Sequence, residues 1–440
     1  MTQPLAKALV TAIQESELSR RAGRITDYDG LAFHAHGPDA WLGEICQIGT
    51  PNEATAVLAE VIGFGDNQVT LMPYGRVEGI RQGAEVFATG QFASITVGPS
   101  LLGRFIDAFG RPLDDREPIS GYKVPLHAQA PSPAKRQRIN QILETGICAI
   151  DTLLPLGIGQ RIGIFSGSGV GKSTLLGMMA RNSSADVNVV ALIGERGREV
   201  REFIEDQLDD ALTRSIVVVA TAEQPALVRL RAAQAAVAVA EYFRAQGKHV
   251  ALYLDSLTRL AMAQREIGLA VGEPPTVRGY PPSVFSMLPQ LLERMGTNEG
   301  KGSITGILTV LVEGDDLAEP VSDHARAVLD GHIVLTRDFA QRGQFPPIDV
   351  LKSASRLARS LVTKRDSSIV SDAIGILALY ESSKDMIDFG GYTQGSNTEL
   401  DRAVQLHPKL LAFLRQAPDD AVQRREESLD QMALLLGERP

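Results

Sequence analysis

Apolar residues change their spacing several times along the chain, and each change predicts a different kind of element. In the first twenty residues Leu5, Leu9, Val10, Ile13 and Leu18 recur at helical spacing among Gln, Lys and Glu, which predicts a short amphipathic helix over 1–20. An apolar stripe at a chain end suits docking to a partner as well as packing on its own domain. From Arg24 to about Thr96 the runs shorten and are broken by glycine, as in "GEICQIG" and "ATAVLAEVIGFGDNQVTLMPYG". Short strands separated by turn residues predict a small β-barrel, placed at 21–97.

The stretch "HAQAPSPAKRQRINQ", 127–141, reads as an irregular linker. Beyond it, β-type runs alternate with helical ones: "RIGIF", "VNVVALIG" ending at Gly194, "SIVVVAT" at Thr221, "HVALYLD" at Asp255, "SITGILTVLVEG" at Gly314 and "HIVLT" at Thr336. Near-continuous apolar strands between helices predict a largely parallel sheet covered on both faces, assigned to 98–358. Ligands bind such sheets at the carboxyl ends of the strands. Past Ser360 the β-type runs fade into helical patterns, so 359–440 is a helical domain. No repeat of roughly 20 to 50 residues occurs, which excludes a solenoid.

Composition narrows the class. The 440 residues carry 44% hydrophobic and 22% charged side chains and a net charge of -9, the mix of a multidomain globular protein without a chain-wide basic field for nucleic acid or anionic lipid. Cys46 and Cys148 fit neither a disulfide framework nor zinc spacing, and read as packing residues. His34 and His36 share a strand face but lack neighbours at ligand spacing, so they read as surface or satisfied histidines. No apolar stretch reaches the ~18 residues of a membrane span, and no secretory leader is visible, so the expected location is cytoplasmic.

The chemistry gathers at the strand ends. In "SGSGVGKST" the phosphate-loop pattern G-x-x-x-x-G-K-[ST] is met by Gly171, Lys172 and Ser173, with Ser166 in place of the first glycine. Ser166, Gly167, Ser168, Gly169, Val170, Gly171, Lys172, Ser173 and Thr174 are the expected nucleotide contacts. Backbone N–H groups and a helix N-terminus converge on an anion there, Lys172 adds charge, and Ser173 offers a hydroxyl to Mg²⁺. The substitution at Ser166 matters only if that position needs a positive φ. Asp255, closing an apolar strand, is placed to hold the Mg²⁺ water shell. Hydrolysis further needs an oriented water, and Glu195 in "LIGERGREV" is the candidate base. Arg196 and Glu199 lie close behind it, Glu199 as a further metal-side candidate.

Together these segments resemble the catalytic subunits of the rotary ATP synthase family and its protein-export relatives. The family pattern P-[SAP]-[LIV]-[DNH]-x-x-x-S-x-S is met by Pro346, Pro347, Ile348, Asp349, Ser353 and Ser355. The likeness runs from "LLGRFIDAFGRPLD" through "ETGICAIDTLLPLGIGQRIGIF" to the C-terminal helices. It implies a RecA-like P-loop ATPase domain between the barrel and the helices, with ATP and Mg²⁺ as ligands. By resemblance Glu195 is the catalytic glutamate, Lys172 and Ser173 are phosphate and Mg²⁺ contacts, and Asp255 is the Walker B carboxylate. Arg196 and Arg259 match arginines near the γ-phosphate, and Phe345 the aromatic ring on adenine. Arg356 matches an arginine finger offered to the neighbouring subunit. A finger acting in trans requires head-to-tail contacts that close into a ring, here a homohexamer.

Within the superfamily "GLAVGEPPTVRGYPPSVFSMLPQLLERMG" and "DFGGYTQGSNTELDRAV" resemble the type III export ATPases, flagellar before injectisome. That likeness implies a stator-like regulatory partner at the N-terminal helix and a coiled-coil stalk facing "GEPPTVRGYPP". It also implies contacts of the C-terminal helices with the export gate and chaperone–substrate complexes, and peripheral association at the inner face of the cytoplasmic membrane. Two alternatives stay open. One is a rotary synthase catalytic subunit. The other is a hexameric RNA translocase, which needs stacking aromatics on a basic barrel face; Tyr28, Phe33 and Trp41 are present, but "HGPDAWLGE" is not basic.

Overall fold

The computed structural model describes residues 21–49, 56–312, 314, 316 and 318–437. The helix expected over 1–20 lies outside them. The chain divides into two compact units. One holds residues up to Ser94 with Gln224–Val228 and Ala263–Pro282, and the other holds the rest.

In the first unit six antiparallel strands close a barrel: Ala22–Tyr28, Phe33–His36, Glu44–Ile48, Val57–Gly65, Gln68–Pro73 and Glu85–Phe92. Alternate residues point inward, and Ile25, Phe33, Cys46, Ile48, Val61, Leu71 and Val86 fill the interior. Asp66 and Asn67 take left-handed conformations (φ 45° and 62°) between two strands, the backbone that a two-residue hairpin turn demands. Glu44 is fully buried, which its partners explain. It accepts hydrogen bonds from Arg21 Nη2 (2.6 Å), Trp41 N (2.9 Å) and Gly90 N (2.7 Å). Of the barrel aromatics, Phe33 is core and stacks on Tyr28, while Trp41 lies under the Arg21 guanidinium. The His34 ring faces Thr70 Oγ1 and Asp29.

The second unit is built on one large sheet. Its strand order is Ile348–Ser355, Gly331–Leu335, Arg161–Ser166, Ser303–Leu311, His249–Asp255, Val187–Glu195, Ser215–Thr221 and Arg104–Asp107. All neighbours run parallel except the edge strand Ile348–Ser355, which is antiparallel to Gly331–Leu335. The apolar runs mark the central strands because helices cover both faces; every residue of Val187–Glu195 is buried. Residues 127–141 are irregular apart from one short turn at Pro133–Lys135. Three helices, Lys364–Asp388, Thr398–Leu414 and Arg425–Leu436, form the C-terminal part and share the core of the sheet. The Asn397 side chain caps the second of these by accepting from Glu399 N and Leu400 N.

Candidate active site

The parallel arrangement brings the ends of Arg161–Ser166, His249–Asp255 and Val187–Glu195 to one edge of the sheet. The first of these runs into a tight turn and then the helix Lys172–Asn182. Gly169 and Gly171 hold φ of +75° and +102°, and a β-carbon on either would meet nothing within 4 Å. Glycine is therefore required here by backbone conformation, and the loop leaves an open concavity beside a helix N-terminus. Ser166 is not among the positive-φ residues and ends the strand in extended backbone, so a serine at the first pattern position costs nothing. Its hydroxyl is a buried atom with no hydrogen-bond partner among the described residues. Val170 is buried and pins the loop to the core, while Ser168 and Ser173 are exposed. An anion with several oxygens fits this lining.

Lys172 Nζ bonds Asp255 Oδ1 and lies 3.8 Å from Glu195 Oε1. Asp255 is held from the next strand by Thr309, whose hydroxyl donates to Asp255 Oδ1 at 2.7 Å. Arg259, in the first turn of the helix Leu257–Ala270, places Nε 3.2 Å from Glu195 Oε1. Two carboxylates and two cations thus share a largely dry site. Burial pushes the Glu195 carboxyl up to about 7, helped by the Asp255 charge and a hydrogen bond with Glu199, and opposed by Lys172 and Arg259. A carboxyl poised near neutrality suits proton transfer from water.

Arg196 is mostly exposed and pairs with Glu199 at 3.8 Å, so it stands apart from the Lys172–Asp255–Glu195–Arg259 group. Among the described residues no three or more His, Cys, Asp or Glu side chains could hold a metal ion by themselves. Ser173 and Asp255 are nonetheless oxygen donors of the kind Mg²⁺ takes, with phosphate oxygens completing its shell.

Phe345, 46% exposed, lies on the turn before the edge strand. It lines a cavity of about 290 Å³ with Gly171, Thr174, Met178, Gln416 and Pro418. The slot opens from the glycine loop, and its apolar walls suit a flat aromatic base. The wall at Arg415–Pro418 went unseen in the sequence, because it lies about seventy positions from Phe345 and carries no local pattern. Thr309 was missed too; its strand also carries Ser303 and Thr305, so nothing local in the sequence sets its hydroxyl apart.

Arg356 lies elsewhere. The edge strand runs against the others, so its end lies where the parallel strands begin. Arg356 N donates to Asp330 O (3.0 Å), and Asp330 N to Arg161 O (2.8 Å) at the start of the glycine-loop strand. The six residues Arg161–Ser166 separate that point from the loop by roughly 17 Å. Arg356 is exposed there, its Nη2 donating to Arg326 O at 2.9 Å.

Family models match three segments. These are the ATP synthase alpha/beta family nucleotide-binding domain at 146–355, the beta-barrel domain of the same family at 29–90, and the T3SS EscN ATPase C-terminal domain at 362–433. A flagellum-specific ATP synthase of Bacillus subtilis (strain 168) is 48% identical over 98% of this chain and 99% of its own length. The chain belongs to the ATP synthase alpha/beta family. Flagellum-specific ATP synthases and type 3 secretion system ATPases are among the relatives that match it over nearly its whole length. A type 3 secretion system ATPase of Sinorhizobium fredii is 46% identical over 98% of this chain and 96% of its own. The assembled ATPase EscN of the enteropathogenic E. coli type III secretion system has a TM-score of 0.90 at 43% identity, covering 94% of this chain and all of EscN. EscN in complex with its central stalk EscO gives a TM-score of 0.86. No helix among the described residues of this family member is long and apolar enough to cross a membrane.

Proposed function

We propose that the protein hydrolyses Mg·ATP in a homohexameric ring and serves as the ATPase of a flagellar type III protein export apparatus. The observation that carries the hydrolytic reading is the convergence of Lys172, Asp255, Glu195 and Arg259 beside the glycine loop. Binding alone needs no buried carboxylate of raised pKa next to the phosphate cradle. In this reading Gly167–Thr174 cradle the phosphates and Phe345 stacks on adenine. Ser173 and Asp255 would hold Mg²⁺, with Glu199, beside Glu195, as a further metal-side carboxylate, and the ion would neutralise phosphate charge. Glu195 takes the proton of the attacking water. Lys172, Arg259 and, at the rim, Arg196 stabilise charge on the transferring group.

Arg356 completes the site of the neighbouring subunit. Its position at the far end of its own sheet supports a role in trans, and a head-to-tail contact repeated around a closed ring supplies one finger per site. The chain divides, on this reading, into a docking segment 1–20, a barrel 21–97, an ATPase domain 98–358 and a helical domain 359–440. The similarity to EscN, solved as an assembly and with its central stalk, supports self-association and a stalk partner, here read as a coiled coil. A stator-like regulatory subunit at 1–20, an export gate and chaperone–substrate complexes complete the partner set. The protein then works in the cytoplasm, peripherally at the inner face of the membrane.

The test is phosphate release per chain from Mg·ATP against concentration of the purified protein, with sizing alongside. A rate per chain that climbs as rings form is expected. A rate near zero in an assembled ring overturns hydrolysis by this chain alone and points to a missing hetero-partner, as in a rotary synthase. The Sinorhizobium fredii relative, a type 3 secretion system ATPase, favours a second reading, an injectisome type III secretion ATPase. Deletion in the host separates the two: loss of filament growth supports the flagellar role, and loss of effector secretion with intact motility supports the other.

A further inference from the structure

One buried side chain ties the two walls of the base slot to the glycine-loop helix. Gln416 follows the helix Thr398–Leu414 and is 8% exposed. Its backbone N–H donates to Phe345 O at 2.8 Å. Its side-chain Oε1 accepts from Cys148 N (3.0 Å), and its Nε2 donates to Gly146 O (2.8 Å). Cys148 N belongs to the first turn of the helix Cys148–Leu153, where a donor has no intrahelical acceptor, so Gln416 satisfies an otherwise orphaned group. Gly146 in turn is left-handed (φ +74°) and packs against Asn182 at the end of the glycine-loop helix; a β-carbon on it would stand 2.3 Å from Asn182 Cβ.

Beside this clasp, Gln344 donates from Nε2 to Leu411 O at 3.0 Å and accepts from Arg415 Nη2 at 3.5 Å. The backbone on both sides of the Phe345 ring is therefore fastened to the C-terminal helical part. Both ends of the Gln416 amide are engaged with main chain, so the side chain fixes the slot and does not itself read the base.

We infer that Gln416 is a positioning residue for nucleotide recognition, holding the Phe345 turn and the Arg415–Pro418 wall at the separation that grips the base. This rests on the reading of Phe345 as the base-stacking residue. The phosphate-end groups Lys172, Asp255 and Glu195 have no part in the clasp, so its loss weakens the grip on the base and leaves the chemistry alone. A single uncharged hydrogen bond changes an equilibrium by about fivefold, and here two are removed.

The test uses the full chain and steady-state kinetics with Mg·ATP. Gln416→Met keeps length and volume and loses both side-chain bonds; Gln416→Glu keeps the acceptor for Cys148 N and loses the donor to Gly146 O. The expected result is a rise in KM for ATP of about 5- to 10-fold in Gln416→Met and at least as large a rise in Gln416→Glu, whose carboxylate faces the Gly146 carbonyl, with kcat within about twofold. Inhibition by inorganic tripolyphosphate, which has no base, stays unchanged. In a Phe345→Ala background the same substitution adds less than about twofold, because both act on one contact.

An unmoved KM in folded Gln416→Met overturns the inference. So does a parallel loss of kcat, KM and tripolyphosphate inhibition, the mark of a merely structural role. If Phe345→Ala itself leaves KM for ATP unchanged, the base-slot reading fails first and takes this inference with it.

Discussion

Gly194 and Arg259 meet so closely that a β-carbon on Gly194 would stand 2.9 Å from Arg259 Cδ. Gly194 also holds φ of +72° just before Glu195. Two demands, a left-handed backbone and a bare α-carbon, coincide at the residue that sets the 3.2 Å approach of Arg259 to Glu195. Gly194→Ala is therefore expected to lower kcat by at least about tenfold while costing about 1–3 kcal/mol of stability. Steady-state kinetics and a thermal melt on the same preparation check both. Unchanged kcat with a lowered Tm would show that the contact serves folding alone.

Thr309 acts one step further out. Its hydroxyl holds the Asp255 oxygen that also meets Lys172. Thr309→Val preserves shape and removes the hydrogen bond, freeing Asp255 to turn toward Lys172 alone. Loss of such an outer partner of a metal-side carboxylate typically costs about 10- to 100-fold in metal affinity or activity. The expected signature is a higher Mg²⁺ requirement, read by titrating Mg²⁺ at fixed ATP, with kcat largely restored at saturating metal.

If Glu195 is the base proposed above, it sets the pH dependence. Burial first, and then the Asp255 charge, push its carboxyl up to about 7. The base must be deprotonated to accept a proton from water, so kcat/KM should rise with pH through about 7 and fall close to tenfold per unit below it. Glu195→Gln should abolish turnover while ATP still binds, and any residual rate should lose this limb of the profile. A phosphate-release rate near wild type in Glu195→Gln would remove Glu195 from the chemistry.

The parts of this site legible in the sequence are those whose chemistry is carried by local backbone. The glycine turn, Lys172 and Ser173 form one contiguous loop, and Asp255 and Glu195 stand out as charges closing apolar strands. The same logic exposed the parallel sheet, because strands buried on both faces must be apolar throughout. Boundaries slipped where polarity and pairing part company. The reading ended strands at Gly194, Gly314 and Thr336, whereas they end at Glu195, Leu311 and Leu335.

The edge strand Ile348–Ser355 shows in the sequence only through the residues that meet the family formula, since it is buried at one end and exposed at the other and keeps no single period. Arg104–Asp107 has four residues, too few for any period to show. Gln416 was invisible for a different reason. Its partners Gly146 and Cys148 lie about 270 positions away, and only the folded chain brings a C-terminal glutamine to the start of the helix Cys148–Leu153.

Arg356 gives the sharpest test of assembly, because its place in the fold separates two models by geometry. It stands by Asp330 at the start of the parallel strands, and Lys172 follows their ends. A finger that served its own site would have to cross roughly 17 Å of sheet, so the proposed ring puts the finger and the cradle of one chain in different sites. Arg356→Ala should therefore lose about 10³- to 10⁵-fold in kcat at saturating protein. Lys172→Ala should be inactive for the complementary reason. Mixed in equal amounts and allowed to assemble, the two inactive proteins should recover activity: an intact cradle meets an intact finger at about a quarter of the interfaces formed by random head-to-tail mixing. Phosphate release at that level, absent from either protein alone and lost on dilution, is the expected outcome. No recovery from mixtures that size as rings would mean that Arg356 acts within its own chain, or through the interface without reaching the neighbour's phosphates.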